Sequence, residues 1–180
     1  MAVHDDQEKV TLCTGKFMQL VRRGRWEFTE RLHICGIVGI VAVTAEGKLL
    51  LVEQFRPAVN ARVIELPAGL AGDIAGAECE DLADAARREL EEETGYTAER
   101  VTFLTEGPPS SGITSEVITL FRADGLRKIG HGGGDHTEDI TVHEVPLGEV
   151  HSWLEARRQQ GTMLDMRIYT GLYFLNAIGI

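Results

Sequence analysis

Residues 88–95 read RELEEETG, and they end a segment in which apolar residues recur with the period of an α-helix. When Leu82 is set at zero and each residue turns the helical wheel by about 100°, Ala86, Glu89 and Glu93 fall within about 40° of it. The stripe that a helix normally buries therefore changes from apolar to acidic along its length. This pattern predicts that the glutamates are more than surface charge.

The four carboxylates between residues 89 and 93 crowd the C-terminal end of this helix. The helix dipole disfavours each negative charge there by roughly 0.3–1 kcal/mol, and the i,i+4 pair of Glu89 and Glu93 adds a few tenths of a kcal/mol. A positive partner must offset this repulsion. Carboxylate oxygens suit Mg²⁺ or Mn²⁺, whereas the plainer alternative is pairing with Arg87, Arg88 or Arg100.

The residues around this run resemble the box motif of the Nudix hydrolase family, because RELEEETG at 88–95 follows Glu80 with the motif's gap of seven residues. Two positions depart from the motif. Ten residues separate Gly69 from Glu80, which implies a longer loop, and Tyr96 replaces a small aliphatic residue. The resemblance implies that Glu80 holds an outer ion or orients Arg88, and that Arg88 assists catalysis or forms a salt bridge within the box.

The resemblance extends over most of the chain to the branch of the family that hydrolyses ADP-ribose and other nucleoside diphosphate sugars. It implies a Nudix fold of the α/β (α+β) class, an α/β/α sandwich with a mixed sheet. It also implies a homodimer in which the N-terminal strands reach across to the partner. The supporting segments are VEQFR at 52–56, IELPAG at 64–69, Gly112 with Ser115 and Glu116, and EDITVH at 138–143.

The chemistry of this branch explains the acidic residues. A pyrophosphate repels an attacking hydroxide, so divalent ions must neutralise the linkage and lower the pKa of a water. The resemblance implies that Glu89 and Glu93 are the main ligands of Mg²⁺, or of Mn²⁺ in its place. Glu92 would share the ions directly or through water, and the backbone carbonyl of Ala68 is a further candidate ligand.

A base is needed to take the proton of the water. By the resemblance this base, or an additional metal ligand, lies on a late loop, and Glu138 matches it best. Asp135 and His136 compete for the role. The alternative for Glu138 is a carboxylate at a strand edge that meets Lys128 or Arg127.

The resemblance also suggests substrate contacts, each with a structural alternative. Arg56 could bind the diphosphate, since a guanidinium matches phosphate geometry, or it could form a salt bridge with Glu65. Trp26 and Phe17 could stack on the base of the substrate or pack in the dimer. Glu116 could contact the terminal sugar or an arginine of the partner subunit.

Composition limits the other classes of function. The 180 residues are 43% hydrophobic and 26% charged, which indicates one soluble globular domain. A net charge of -10 disfavours nucleic acids and anionic membranes as partners. The polar N-terminus and an odd number of unpaired cysteines, Cys13, Cys35 and Cys79, favour a cytoplasmic protein.

The rest of the chain has signals for strands and two late helices. We expect a single domain over 1–180, with dimerisation strands at about 9–34 and a catalytic core at about 36–178.

The last predicted helix has an apolar stripe, which predicts that this face packs in the core or in a dimer interface. The stripe consists of Met163, Met166, Tyr169 and Tyr173. The predicted strands are 9–23, 26–32, 36–44, 48–55, 63–66, 98–105, 116–122 and 140–145, a loop covers 68–77, and the helices are about 80–94, 147–160 and 163–177.

Two other functions fit the sequence. A broad hydrolase of dinucleoside polyphosphates or nucleoside triphosphates would share the same metal chemistry. A nucleotide-sensing module that has lost hydrolysis would be expected to have damaged metal ligands, whereas all the acidic residues of the box are present.

Overall fold

The computed structural model describes residues 7–73, 80–134 and 139–177. Within these ranges the chain forms eleven β-strands, three α-helices and a short 3-10 helix, Leu147–Glu149. The strands are β1 (Lys9–Thr14), β2 (Met18–Arg23), β3 (Trp26–Arg31), β4 (Gly36–Ala42), β5 (Lys48–Arg56), β6 (Ala61–Glu65), β7 (Ala68–Ala71), β8 (Tyr96–Gly107), β9 (Ile118–Lys128), β10 (Thr141–Pro146) and β11 (Met163–Leu164). The helices are α1 (Leu82–Thr94), α2 (Val150–Gln159) and α3 (Arg167–Ala177).

The described strands form three sheets. β1, β2 and β3 make an antiparallel N-terminal sheet in that order. One four-stranded sheet has the order β7-β4-β9-β8, with β4 and β9 parallel. The other has the order β10-β5-β6-β11, with β6 and β11 parallel. Both four-stranded sheets are therefore mixed, whereas the resemblance implied a single mixed sheet.

Two apolar clusters lie on opposite faces of β4, because successive side chains of a strand alternate between its faces. Ile37 and Val41 pack in a cluster with buried residues of α2 and α3. Val38 and Ile40 pack with buried residues of α1, including Leu90. Helices thus cover the strands on both sides, and α1 is held in place by its apolar stripe.

Helix α1 begins and ends close to its predicted limits. The side chain of Asp81 caps the N-terminus by accepting a hydrogen bond of 2.8 Å from the Ala83 amide. Gly95 ends the helix in the left-handed conformation with φ of 73°, which glycine adopts without steric penalty. The predicted stop at Gly95 is confirmed.

Three predictions of local structure are wrong. The predicted strand 9–23 is divided into β1 and β2, which pair with each other as a hairpin. Residues 68–71 form β7 and pair with β4, although the sequence suggested a loop. The last predicted helix, 163–177, is divided, because Met163 and Leu164 pair with β6 and Asp165 starts α3 by accepting a 2.7 Å hydrogen bond from the Arg167 amide. The stripe beginning at Met163 is exposed in the single chain, so it does not belong to the core.

The N-terminal sheet is attached to the segment before β9. The Thr29 amide donates to the Ile113 carbonyl at 2.8 Å, and the Ser115 amide donates to the Thr29 carbonyl at 3.0 Å. The sheet leaves six large apolar side chains exposed: Val10, Leu12, Phe17, Met18, Leu20 and Trp26. Among the described residues, no helix has the length and apolar character needed to cross a membrane.

Candidate active site

A cleft of about 980 Å³ opens between α1, β7 and the first turn of α3. The ends of β5 and β6 and the segment before β9 complete its walls. Charged side chains dominate the lining, as suits a charged ligand. The cationic residues are Arg31, Arg56, Arg88 and Arg167, and the anionic residues are Glu65, Asp73, Glu89, Glu92, Glu116 and Asp165.

Arg88 connects the charged groups of the box. Its guanidinium donates two hydrogen bonds to the Glu80 carboxylate, at 3.1 and 3.0 Å. It also donates to Glu89 at 2.8 Å, to Glu92 at 3.2 Å and to the Leu70 carbonyl at 2.8 Å. The hydrogen bond from Arg88 lowers the pKa of Glu80. Glu80 therefore orients Arg88, and Arg88 forms the salt bridge within the box that the sequence suggested.

Glu89 lies close against a glycine. Its side chain is only 12% exposed, and burial raises its pKa to about 7 although the adjacent Arg88 acts in the opposite direction. A Cβ atom at Gly69 would lie 1.9 Å from the Glu89 carboxyl carbon. Because Gly69 has no side chain, the Glu89 carboxylate can occupy this position against β7.

The other two glutamates differ in exposure. Glu93 is 3% exposed and accepts a 2.9 Å hydrogen bond from the Ala68 amide. The Glu92 side chain is 48% exposed and extends into the cleft. The structure thus brings Glu92, Glu93 and Ala68 to the same side of the cleft as Glu89.

These residues suit a hard divalent cation by their donor chemistry. Carboxylate oxygens are the ligands that Mg²⁺ and Mn²⁺ prefer, and burial raises the pKa of Glu89, so a cation close to this carboxylate would favour its charged form. As they stand, no three carboxylate, histidine or cysteine side chains of the described residues are grouped closely enough to hold an ion. A protein donor engages one oxygen of each buried glutamate, since Glu89 accepts from Arg88 and Glu93 accepts from the Ala68 amide.

Arg56 makes the salt bridge that was the alternative to substrate binding, and it also lines the cleft. Its Nε donates to Glu65 at 2.7 Å. Arg167, which sequence reasoning missed, donates to the other oxygen of Glu65 at 3.1 Å. Asp165 holds Arg167 in turn with a 2.9 Å bond to Nε. The pairing of β5 with β6 places Arg56 near Glu65, and the pairing of β11 with β6 brings Asp165 and Arg167 to them.

Glu116 meets an arginine of its own chain. Arg31 Nε donates to Glu116 at 2.8 Å, and both residues line the cleft. Sequence reasoning did not single out Arg31.

Trp26 and Phe17 are 58% and 64% exposed on the N-terminal sheet and do not line the cleft of the single chain.

The candidate bases Glu138, Asp135 and His136 lie outside the described residues. The chain that leads to them is bonded to the end of α1, where the Gly133 amide donates to the Glu93 carbonyl at 2.8 Å. Glycine amides thus satisfy carbonyls that a helix end leaves without partners.

Comparison with known proteins gives similarities in sequence and in structure. A profile of the NUDIX domain matches residues 35–164. The ADP-ribose pyrophosphatase of Bacillus subtilis (strain 168) is 37% identical over 156 residues, covering 83% of this chain and 82% of the relative. The ADP-ribose pyrophosphatase of Mycobacterium tuberculosis is 34% identical over 188 residues, covering 99% and 86%. The methanol dehydrogenase activator of Bacillus methanolicus is 36% identical over 124 residues, and this chain spans 64% of its length.

A solved structure described as an ADP compounds hydrolase superposes with a TM-score of 0.72. It covers 96% of this chain and 94% of its own, at 19% identity. At that identity the likeness establishes the fold and leaves the activity to be argued from the cleft.

Proposed function

Since the chain belongs to the NUDIX family of hydrolases, we propose that it hydrolyses the pyrophosphate bond of nucleoside diphosphate sugars, with ADP-ribose as the first candidate. The products are a nucleoside monophosphate and a sugar phosphate. The observation that carries this proposal is the acidic end of α1 beside a large charged cleft, where Glu89 is buried with a raised pKa. Two relatives named ADP-ribose pyrophosphatase support the choice of substrate.

The proposed metal ligands are the carboxylates of Glu89, Glu92 and Glu93 and the carbonyl of Ala68. When bound, Mg²⁺, or Mn²⁺ in its place, supplies positive charge that neutralises the linkage and lowers the pKa of the attacking water. The protein contributes three carboxylates from α1, of which those of Glu89 and Glu93 are buried, and one carbonyl from β7. Arg88 contributes by holding Glu89 and Glu92 through hydrogen bonds of 2.8 and 3.2 Å.

The remaining roles are assigned by charge and position. Glu138 is the proposed base that takes the proton of the water, with Asp135 and His136 as alternatives. Arg56 is proposed to bind the diphosphate, because it lines the cleft and is 40% exposed. Glu116 is proposed to contact the terminal sugar, since a carboxylate accepts hydrogen bonds from hydroxyl groups.

The proposal includes a homodimer. The N-terminal sheet exposes six large apolar side chains, which lie on both of its faces, and this apolar surface is the proposed site of association. Trp26 and Phe17 would then either pack against the partner subunit or stack on the base of the substrate. Trp26→Glu tests this interface, and light scattering should show a monomer where the wild type is a dimer.

One domain over 1–180 and a cytoplasmic location remain predictions.

The decisive experiment identifies products from a panel of substrates in Mg²⁺, Mn²⁺ or EDTA. The panel contains ADP-ribose, ADP-glucose, GDP-mannose, UDP-glucose, diadenosine polyphosphates and nucleoside triphosphates. Metal-dependent release of a nucleoside monophosphate and a sugar phosphate is the expected result. Preference for polyphosphates would favour the broad hydrolase, and nucleotide binding without any turnover would favour the sensing module.

A matched pair of variants tests the metal site. Glu93→Gln should abolish turnover and leave the fold intact, because it removes charge from a buried carboxylate at the cleft. Glu91→Gln makes the same change on the exposed face of the same helix and should retain activity. Equal activity of the two variants would refute the proposed ligand set.

A further inference from the structure

We propose that Arg167 is a positioning residue that keeps Arg56 directed into the cleft, by occupying one oxygen of the carboxylate that the two arginines share. This inference rests on the proposed function, in which Arg56 binds the diphosphate. It assigns a role in substrate binding to the first turn of α3, far along the chain from the acidic box.

The shared carboxylate is Glu65, which is 4% exposed. Its Oε2 accepts from Arg56 Nε at 2.7 Å, and its Oε1 accepts from Arg167 Nη2 at 3.1 Å. Each oxygen therefore has its own guanidinium. Among the described residues, Arg56 makes no hydrogen bond through Nη1 or Nη2, so both remain for an anion in the cleft.

Arg167 is itself held by the start of α3. Asp165 accepts from the Arg167 amide at 2.7 Å and from its Nε at 2.9 Å. The Asp165 amide donates to the Ile64 carbonyl at 2.9 Å, immediately before Glu65. The side chain of Arg167 is 22% exposed. These bonds make Arg167 a fixed cation beside Glu65, whereas Arg56 is the more exposed partner at 40%.

Because Arg167 occupies one oxygen of Glu65, it prevents Arg56 and Glu65 from forming two parallel hydrogen bonds. A guanidinium and a carboxylate readily form two parallel hydrogen bonds. If Arg167 were absent, Glu65 could present both oxygens to Arg56, which would then use Nε and one Nη atom for the salt bridge. Arg56 would retain fewer donors for a phosphate oxygen. Arg167 therefore affects binding through Arg56 and need not touch the substrate.

The test is a double-mutant cycle with ADP-ribose as substrate. Arg167→Met should raise KM by about tenfold, the effect of weakening one charge-assisted hydrogen bond, while kcat changes much less. In the Arg56→Ala background, Arg167→Met should cause no further rise in KM. Arg167→Lys keeps the charge and should restore much of the wild-type KM. If Arg167→Met unfolds the protein, Arg167→Gln is the second neutral variant.

The matched control is Arg122→Met. Arg122 is 26% exposed, pairs with Asp124 at 2.7 Å and does not line the cleft. Removing it should lower stability by a comparable amount and leave KM unchanged. If Arg167→Met raises KM equally with and without Arg56, or leaves KM at the wild-type value, the positioning role is wrong.

Calorimetric titration with ADP in Mg²⁺ distinguishes this inference from the proposed function, because it needs no turnover. Suppose that Arg167→Met weakens ADP binding only when Arg56 is present, and that no substrate in the panel is hydrolysed. This result would support the positioning role and refute the activity. Hydrolysis without the coupling would refute the positioning role alone. Absence of both ADP binding and hydrolysis would refute both.

Discussion

Gly69→Ala should inactivate the protein through a single added methyl group. The new Cβ atom would lie 1.9 Å from the Glu89 carboxyl carbon and 2.1 and 2.3 Å from its oxygens. Carbon atoms in contact require about 3.5 Å, so the Glu89 carboxylate must withdraw by about 1.5 Å. A displacement of about 1 Å in an active site can reduce the rate by about 10²-fold. We therefore expect at least this loss in kcat at moderate Mg²⁺ concentration.

The assay compares turnover of ADP-ribose across a Mg²⁺ titration with thermal unfolding of the same samples. The fold should tolerate the variant, because the clash is with the end of a side chain and alanine reduces the entropy of the unfolded chain. Gly148→Ala is the control, since nothing lies within 4 Å of its added Cβ atom. Wild-type turnover and Mg²⁺ dependence in Gly69→Ala would refute the placement of Glu89 at the metal site.

Mg²⁺ affinity should rise with pH across neutrality, because burial raises the pKa of Glu89 to about 7 and the ion must displace the proton of this carboxyl group. Calorimetry in two buffers measures the proton release on Mg²⁺ binding. This release should be absent in Glu89→Gln. Without metal, this raised pKa means that the stability contributed by protonated Glu89 is fully present below pH 4.5 and is lost as pH rises through about 7. The stability contributed by Glu144 depends on pH in the opposite direction, because hydrogen bonds from Lys128 and Tyr96 lower the pKa of Glu144 to about 2. This contribution to stability is present above pH 4.5 and is lost as the pH falls toward 2. Glu144→Gln should therefore reduce the free energy of unfolding by about 1 kcal/mol near neutral pH, a value that allows for solvent screening of the lysine, and by almost nothing near pH 2 in urea titrations. Leu90→Ala, at a fully buried position of α1, should lower the free energy of unfolding by about 2–5 kcal/mol, and a urea titration that shows an unchanged value would contradict the assigned core.

The sequence was sufficient for α1 because its signals are local. The apolar period and the stop at Gly95 lie on one short segment, and each has a direct steric cause. The cap at Asp81, which was not predicted, starts the helix at Leu82 and not at about residue 80. The acidic residues of the candidate site are on the same helix, so their common side follows from the helical period alone. The local pattern therefore located Glu89 at the cleft and Glu93 on the same side of the helix, against Ala68.

Two arginines of the cleft, Arg31 and Arg167, were beyond sequence reasoning because their partners are remote. Arg167 meets Glu65 across 102 residues, and Arg31 meets Glu116 across 85. The first pair depends on β11, whose two residues are too few to show a strand period. The same short pairing divided the predicted helix at 163–177, where the spacing of Met163 and the residues after it fitted a helix equally well.

Arg88 has a further effect on how this chain can vary. It bonds both the Leu70 carbonyl and Glu80, which are the two ends of the segment that is longer than in the family motif. When the ends of a segment are held together, doubling its length costs roughly 0.6 kcal/mol of chain entropy. Asp81 starts α1 with its own side chain, so the helix does not depend on the preceding residues. Changes in the length of the segment between Leu70 and Glu80 should therefore have little effect on the acidic face of α1.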